Sequence, residues 1–284
     1  WMTDAEEPAG ALLSRVMTNR MWQHLFGQGI VPTSENLGLN GSEPTHPLLL
    51  EWLSDEFVRS DWGVKQMLRR LVTSTTYRQA SVGTVPPGHP DPTNQLLGRM
   101  RLRRLDAEVI RDSILAVTDQ LDRTMGGPPV YVKAGTDGSV TIDASKLSSP
   151  SAGQRRSVYL LHRRNYNLSM LSTFDQPLIA TTCARRNPAA VVSQSLMMLN
   201  DRFLFEQSEK LADRVVEMSG ESPEQRIKAA FRLVLARLPN DTELEVCTSF
   251  VQTQKRKYPQ DADQQALVQL CHTLLNTSEF LYAE

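Results

Sequence analysis

Residues 12–26 constrain the fold more than any other part of this sequence, because apolar side chains surround the helix that they predict. At about 100° per residue these side chains leave no broad polar face for water. The pattern therefore predicts a helix that is buried on every side. Its polar side chains then need partners inside the protein or in a ligand, because an unpaired buried amide or guanidinium is costly. Those side chains are Arg15, Asn19, Arg20, Gln23 and His24.

Composition places the chain among ordinary globular proteins. Its 284 residues, 40% of them hydrophobic, are enough for one large domain or two smaller ones with a substantial core. Lys and Arg total 31 against 32 Asp and Glu, so there is no general attraction to nucleic acid, and we expect no nucleic-acid partner. No apolar run approaches the roughly 20 residues needed to span a bilayer, so we expect no membrane insertion.

The beginning of the sequence indicates a piece of a longer protein. Trp1 precedes Met2, and the basic, apolar and small-residue order of a signal peptide is missing. We therefore expect a targeting signal, if there is one, to lie in the part of the protein that precedes this chain.

Hydrophobic periodicity and turn residues predict a mainly α domain with a small β insertion around residues 128–162 and a C-terminal helical bundle. Residues 1–125 form the N-terminal helical part, with helices over 12–26, 48–59 and 65–78 and another from Asp106. Residues 126–187 form a mixed β and loop insertion, in which Asp137-Gly138 is a turn and 157–161 a further strand. Residues 188–284 form the bundle, with helix starts at Ser222-Pro223 and Asn240 and a last helix over 262–282. We expect the three parts to form one continuous domain.

The three cysteines do not follow the spacing of a disulfide scaffold or a zinc site. There is no CxxCH motif, so this chain attaches no c-type haem, and we expect no cofactor in it. Cys247 and Cys271 lie almost symmetrically about the predicted turn at Tyr258-Pro259. They are either two core thiols, which is the favoured interpretation, or a disulfide.

The histidines show no HExxH or other paired-ligand spacing, so the sequence predicts no metal site. His46 is the most informative of them, because Thr45 and Pro47 fix it at the entry to a helix. The chain also contains no GxSxG elbow, no GxGxxG and no Walker motif, which leaves hydrolysis and nucleotide chemistry without support.

Charged residues concentrate in two regions. Arg104, Glu108, Arg111 and Asp112 have the spacing of ion pairs on one helix, where an exposed network is more common than acid–base chemistry. Further along the chain, we predict an ion pair between Asp175 and either Arg185 or Arg186, in a cluster that serves a ligand or locks the fold. The full candidate polar cluster comprises Arg15, Asn19, Arg20, Gln23, His24, His46, Arg78, Arg104, Asp175, Arg185, Arg186 and Asn200.

Several of these motifs resemble a large family of C-terminal domains of unknown function from planctomycete-type bacteria. The resemblance rests on the run from Arg15 to Val31, on Thr45-His46-Pro47, on Thr76-Tyr77-Arg78-Gln79 and on Arg103-Arg104-Leu105-Asp106. It extends to Arg155-Arg156-Ser157, Phe174-Asp175, Cys183 with Arg185-Arg186, the stretch 194–200 and Ala230-Phe231-Arg232-Leu233. Residues 133–153 lie outside it, so we expect no shared site there.

The resemblance implies a setting rather than an activity. Domains of this kind lie at the end of long exported proteins, after a cytochrome c-like domain and a second uncharacterised domain. This implies an extracytoplasmic location, either periplasmic or secreted. It also implies that haem belongs to an upstream domain, and that the upstream domains of the same polypeptide are partners.

Three functional hypotheses follow. The first is a binding or scaffolding domain whose polar motif residues pair with one another. The second is an enzyme or binding module for acidic or sulfated glycans, which requires a polar cleft lined by Arg20, His24, His46, Arg78, Asp175 and Arg185. The third is a docking surface for an electron-transfer domain, which requires exposed aromatic rings at Trp22, Tyr77 and Tyr159.

Overall fold

The computed structural model describes residues 1–4, 7–81, 88, 90–179, 183, 185, 186, 189, 191–220, 222–258 and 260–283. This part of the chain contains eleven α-helices and two sheets of two strands each, which confirms the mainly α prediction. It divides into two compact units, Trp1–Arg103 (unit 1) and Arg104–Ala283 (unit 2). The division into three parts at residues 125 and 187 stays a prediction.

Unit 1 consists of three helices, α1 (Pro8–Phe26), α2 (Pro47–Arg59) and α3 (Val64–Val72). Proline stands at the first turn of α1 and of α2, where its missing N–H costs nothing. Gly27 ends α1 with a φ of 81°, a left-handed conformation that suits glycine. The core of the unit contains Met21, Trp22, Phe26, Ile30, Leu53, Phe57, Met67 and Leu71.

The prediction that α1 is buried on every side is wrong. Its buried residues recur at three- or four-residue spacing, as in Ser14, Thr18 and Trp22, and define one stripe. Leu12 is 51% exposed, and Arg15 and Arg20 are exposed as well. Because apolar residues occur on all sides of α1, its sequence does not indicate which side the rest of the protein covers.

The third helix is shorter than the predicted span 65–78. It ends at Val72, where the hydroxyl of Thr73 donates to the Arg69 carbonyl oxygen at 2.8 Å. The hydroxyl of Ser74 donates to the Leu71 carbonyl oxygen at 2.7 Å. Both carbonyl oxygens also accept a backbone N–H, from Thr73 and from Ser74 at 3.1 Å each, so the side chains add bonds at the end of the helix.

The first two elements of unit 2 are β1 (Arg103–Arg104) and α4 (Ala107–Val117). The first residue of β1, Arg103, is also the last residue of unit 1. Strands β2 (Val132–Ala134) and β3 (Val140–Ile142) and the 3-10 helices Ala144–Lys146, Pro150–Gln154 and Ser157–Tyr159 follow. The remaining elements are α5 (Ser169–Thr173), α6 (Val192–Asn200), α7 (Arg202–Ser219), α8 (Pro223–Leu235), α9 (Asp241–Lys257), α10 (Ala262–Leu275), α11 (Ser278–Leu281) and β4 (Tyr282–Ala283). The two sheets pair β1 with β4 and β2 with β3.

The structure contains the first two strands that the sequence predicts for the β insertion, β2 and β3. β2 and β3 are antiparallel, with Val132 opposite Ile142, and Gly138 in the intervening turn has a φ of 80°. The strand predicted over 157–161 is instead a 3-10 turn, Ser157–Tyr159, followed by one isolated bridge between Val130 and Leu160 that lies outside the strands. The N–H of Ser157 is unavailable to a strand partner, because it donates to the Asp112 carboxylate at 2.8 Å.

The C-terminal helices surround α10, which packs against α7, α8 and α9 and buries Leu267, Leu270, Cys271 and Leu274. The single helix predicted over 262–282 is interrupted, since α10 ends at Leu275 and the Thr277 hydroxyl caps α11. Cys247 and Cys271 are free thiols of the core cluster, so the disulfide alternative does not hold in this structure. Burial raises the pKa of the Cys271 thiol well above its ordinary value.

A membrane-crossing helix requires length and sustained apolarity together, and no helix in the described ranges has both.

Arg237 joins α9 to the end of the chain. Its guanidinium donates to the Glu243 carboxylate at 2.7 and 2.8 Å and to the Glu279 carboxylate at 2.6 and 2.7 Å. Glu243 also belongs to a capping box, in which it exchanges hydrogen bonds with Asn240 at the start of α9. Arg237 and the Asn240 N–H together lower the pKa of Glu243 from 4.5 to about 2.

We expect this network to make unfolding sensitive to acid. A carboxylate with a lowered pKa contributes stability above pH 4.5, and that contribution is lost as pH falls toward about 2. Glu243→Gln should therefore lower Tm at neutral pH and flatten the fall in Tm over that acidic range. Circular dichroism melts at a series of pH values test this. Glu245→Gln, an exposed change on the same helix, is the control; equal pH profiles for the two variants would contradict the prediction.

Candidate functional site

A polar cluster of unit 2 surrounds Arg104, whose side chain is 6% exposed. One guanidinium nitrogen donates to the Ala189 carbonyl oxygen at 2.6 Å and to the Gln194 amide oxygen at 2.7 Å. The other donates to the Phe174 carbonyl oxygen at 3.0 Å and to the Asp175 carboxylate at 2.8 Å. The Arg104 side chain thereby connects β1 to three segments: the end of α5, Ala189 in the segment before α6, and Gln194 on α6.

Asp175 is held as an ionised acceptor. The same carboxylate oxygen that receives Arg104 also receives the Ala189 N–H at 2.9 Å and the Gln194 amide at 3.3 Å. Burial alone raises the pKa of Asp175, but these donors lower it below its ordinary value. Its backbone φ of 63° lies in the left-handed region that Asp tolerates better than most residues.

A second ion pair lies beside this network. Arg186 donates to both oxygens of Glu108, at 2.6 and 3.0 Å, and lies 3.8 Å from Asp106. Burial alone raises the pKa of Glu108, but the hydrogen bonds from Arg186 and Gln176 hold it below its ordinary value. This is the forked guanidinium–carboxylate geometry, which is stronger than a single charged hydrogen bond.

The predicted pairing of Asp175 with Arg185 or Arg186 is therefore wrong. Arg104 contacts Asp175 because β1 places the guanidinium against the end of α5. Arg186 contacts Glu108 instead, and Arg185 is exposed. Asn200 is exposed and donates to Leu196 on its own helix at 2.9 Å.

Arg111 is a residue whose burial the sequence reasoning missed. It donates to the Gly153 and Arg155 carbonyl oxygens at 2.7 and 2.9 Å and to the Ser157 hydroxyl at 3.2 Å. Asp112 accepts from the N–H and hydroxyl of the same Ser157, at 2.8 and 2.7 Å. Burial lowers the pKa of Arg111 to about 10.

The helical spacing of the sequence could have predicted that Arg111 is buried. Ala107, Ile110, Arg111 and Ile114 are all buried, and their spacing puts them on one face of α4. The exposed Arg111–Glu108 pair suggested by the sequence does not form, because Arg111 lies on the buried face and Glu108 binds Arg186.

In unit 1, the buried amide of Asn19 finds its partner in the backbone. It donates to the Val31 carbonyl oxygen at 3.0 Å and accepts from the Val31 N–H at 2.8 Å. Gln23, one turn later, accepts from the Ser34 hydroxyl. Both contacts hold the segment that follows α1 against the helix.

The other unit 1 candidates are on the surface. Arg15 forms an exposed ion pair with Glu51 at 3.2 Å, and Arg20, His24 and Arg78 are exposed side chains. A residue outside the candidate set, Arg103, donates to the carbonyl oxygens of His24 and Leu25 at 2.5 and 3.1 Å and so caps the carboxyl end of α1.

A small cleft in unit 1 is lined by His46 of the candidate polar cluster and by Trp22 of the candidate docking aromatics. Its volume is about 20 Å³, room for one or two water molecules. The cleft is lined by Trp22, Gln28, Gly29, Thr45, His46, Gln95, Leu97 and Arg101. Of the six residues that the glycan hypothesis requires, Arg20, His24, His46 and Arg78 belong to unit 1, and Asp175 and Arg185 belong to unit 2.

Two of the proposed docking aromatics pack into the interior of unit 1. Trp22 is buried and stacks on Phe26 with ring centroids 4.1 Å apart, and Tyr77 meets the edge of Phe26 at 5.7 Å. Trp22 is thus a core residue, which contradicts its predicted docking role. In unit 2 the Tyr159 ring lies under the Arg155 guanidinium at 3.9 Å.

Metal binding by protein side chains needs several ligands in one place. Across the residues that the structure describes, no group of three His, Cys, Asp or Glu side chains has such an arrangement.

Loss of the Arg104 guanidinium should be severely destabilising. Arg104→Met leaves Asp175 partly buried without its cation, and breaking a buried pair in this way costs about 3–5 kcal/mol. Urea unfolding monitored by circular dichroism measures the change. Arg185→Met, at an exposed position of the same motif region, should change the free energy of unfolding by less than about 0.5 kcal/mol. Equal effects of the two substitutions would show that the network does not hold the unit together.

Asn19→Ala tests the corresponding contact in unit 1. It leaves the buried N–H and C=O of Val31 without their side-chain partner, at a cost of about 1–3 kcal/mol for each group. The exposed Asn40→Ala change should be nearly neutral in the same unfolding experiment. A neutral Asn19→Ala variant would refute the importance of this contact.

Comparison with known proteins adds a family assignment. No curated protein and no solved structure matches the chain. The model of the family described as PSD1, protein of unknown function (DUF1553), matches residues 1–251. The chain thus belongs to this family of proteins of unknown function.

Proposed function

We propose that this chain is a binding or scaffolding domain that contacts another protein domain through an apolar surface of α6. Three side chains carry the proposal: Val192, Leu196 and Leu199, which are 74%, 53% and 50% exposed. We call them the α6 stripe. Their spacing of four and three residues puts them on one face of the helix, where large apolar groups in contact with water favour association.

The chemistry of α6 suits an apolar contact. The helix contains no charged residue, and its immediate neighbour Val191 is exposed as well. Binding to the stripe would therefore desolvate no charge, and charged residues are depleted at the centre of protein interfaces.

The opposite side of α6 is firmly attached to unit 2. Gln194 bonds Arg104 and the Thr173 carbonyl oxygen, at 2.7 and 3.0 Å. The Met198 carbonyl oxygen lies 2.9 Å from the ring nitrogen Nε2 of His272. A partner that binds the stripe thus meets a helix that is already ordered, which reduces the entropy cost of association.

The partner that we propose is an upstream domain of the same polypeptide. The family resemblance supports this choice, because it implies an exported, extracytoplasmic protein with a cytochrome c-like domain ahead of this one. In that arrangement the haem belongs to the upstream domain and this chain supplies a surface.

The internal pairing of the motif residues favours scaffolding over the glycan hypothesis. Asp175 and Glu108, the carboxylates nearest the arginines, are both hydrogen-bonded to guanidinium groups, and their lowered pKa values suit structural acceptors better than general acids. The arginine groups are correspondingly engaged with the protein itself.

The double variant Leu196→Gln, Leu199→Gln tests the proposal. Its affinity for the separately expressed upstream region of the parent protein, measured by calorimetry, should fall about tenfold or more, because two Leu side chains no longer bury apolar surface against the partner. Val246→Gln, an exposed apolar position on α9, should leave the affinity unchanged.

Equal affinities of wild type and double variant would overturn the proposal. Self-association that the double variant abolishes would overturn the choice of partner, since the occupant of the stripe would then be a second copy of this chain. Melting curves of both variants establish that the compared proteins are folded.

A further inference from the structure

The loop between α1 and α2 contains Asn40-Gly41, the only point of the sequence at which an asparagine precedes a glycine. Asn40 is exposed, and no hydrogen bond from the described part of the chain holds its side-chain amide. The amides of Asn19 and Asn94, by contrast, donate to backbone carbonyl oxygens at 3.0 and 2.8 Å. The Asn40 amide is therefore available to the backbone that follows it.

A backbone turn places Gly41 directly after this amide. The Gly41 N–H donates to the Gly38 carbonyl oxygen at 2.9 Å, which closes a turn with Asn40 at its third position. A Cβ at residue 41 would lie 2.1 Å from the Asn36 carbonyl oxygen, so the packing of the loop requires glycine there. The residue after Asn40 thus has no side chain that could shield its backbone nitrogen.

Few bonds hold this exposed turn closed. Besides the bond between Gly38 and Gly41, the Thr33 hydroxyl accepts the Ser42 N–H at 2.9 Å and donates to the Asn36 carbonyl oxygen at 2.8 Å. Each such bond favours the closed turn only about 2- to 13-fold, so local opening releases the Gly41 N–H readily.

We infer that Asn40 is a site of spontaneous deamidation through a cyclic imide. An amide nitrogen is a weak nucleophile because its lone pair is delocalised, so base must first remove the Gly41 N–H proton. The nitrogen then attacks the side-chain carbonyl carbon of Asn40, to which it lies close in the chain. A bond forms between these two atoms, the bond from that carbon to the side-chain nitrogen breaks, and the leaving group takes up a proton and departs as ammonia.

Water completes the reaction by opening the imide at either of its two carbonyls. One product has aspartate at position 40, and the other has isoaspartate, in which the backbone continues through the side-chain carbon. Both products add one negative charge to the loop. This site lies in unit 1 and uses no residue of the α6 stripe.

The turn at Asp137-Gly138 has a similar sequence but a different chemical state. The Asp137 carboxylate accepts from the Ser139 N–H at 3.0 Å and from the Ser139 hydroxyl at 2.7 Å. These hydrogen bonds lower the pKa of Asp137 below its ordinary value, so the group stays ionised. An ionised carboxylate resists attack by the amide nitrogen, because its carbonyl carbon is a poor electrophile. We therefore expect Asp137 to remain unmodified while Asn40 reacts.

Peptide mass spectrometry of the whole chain after prolonged incubation at mildly alkaline pH tests the inference. The peptide that contains Asn40 should gain the mass difference between –NH₂ and –OH, and both aspartate and isoaspartate should be present. In water enriched in a heavy oxygen isotope, the new oxygen should carry the label. The rate should rise with pH, because base removes the Gly41 N–H proton.

Three variants separate the chemistry from the restraint that the loop imposes. Asn40→Gln should stop the modification, because its longer side chain does not form the same ring. Thr33→Val removes two bonds of the loop and should raise the native rate at least about twofold. Ser42→Ala, which keeps the Ser42 backbone N–H, is the matched control and should leave the rate unchanged.

A chain that stays unmodified at Asn40 while the same chain in guanidinium chloride is converted would overturn the inference. Aspartate without isoaspartate would overturn the imide route, because direct hydrolysis gives only aspartate. Equal native rates in the wild type and in folded Thr33→Val would overturn the role of the Thr33 hydroxyl. Isoaspartate at Asp137 at the same rate as at Asn40 would overturn the distinction between the two turns.

Discussion

The burial of the Arg104 guanidinium is the constraint on which the organisation of unit 2 depends. A buried cation is tolerated only where charge and hydrogen bonds compensate for the water that it has lost. Arg104 obtains that compensation from two backbone carbonyls, one amide and one carboxylate, which belong to segments far apart in the sequence. The position of α6 and the end of α5 therefore follow from the bonding requirements of one side chain.

The same principle operates wherever regular structure is sparse. Segments without helix or sheet must still pair their backbone polar groups, and here side chains supply partners. Arg111 bonds the carbonyls around the 3-10 turns of unit 2, while Asn19 bonds Val31 in unit 1. Many of the motif residues that look chemically reactive in the sequence are thus engaged in holding irregular backbone.

The exposed surfaces that could bind a partner do not consist of the charged motif residues Arg104, Glu108, Asp175 and Arg186, which are paired with one another. The α6 stripe is apolar and belongs to an ordered helix, whereas the His46 cleft is small and polar. The apolar stripe suits a protein partner, because association removes its side chains from water. If a partner binds the stripe, the ion pairs of unit 2 take no part in recognition and stabilise the fold.

The sequence by itself determined the local architecture, because helix ends and turns depend on residues only a few positions apart. The start of α8 follows from Pro223 in its first turn, although the Ser222 side chain forms no capping bond, and the start of α9 follows from the Asn240–Glu243 capping box. The β2–β3 turn follows from Asp137-Gly138. Tertiary structure alone decided the partners of charged residues, since Arg104 and Asp175 are 71 positions apart and no local pattern links them. It also decided which side of α1 is buried, because a helix with apolar residues all round has no preferred face until its neighbours pack against it.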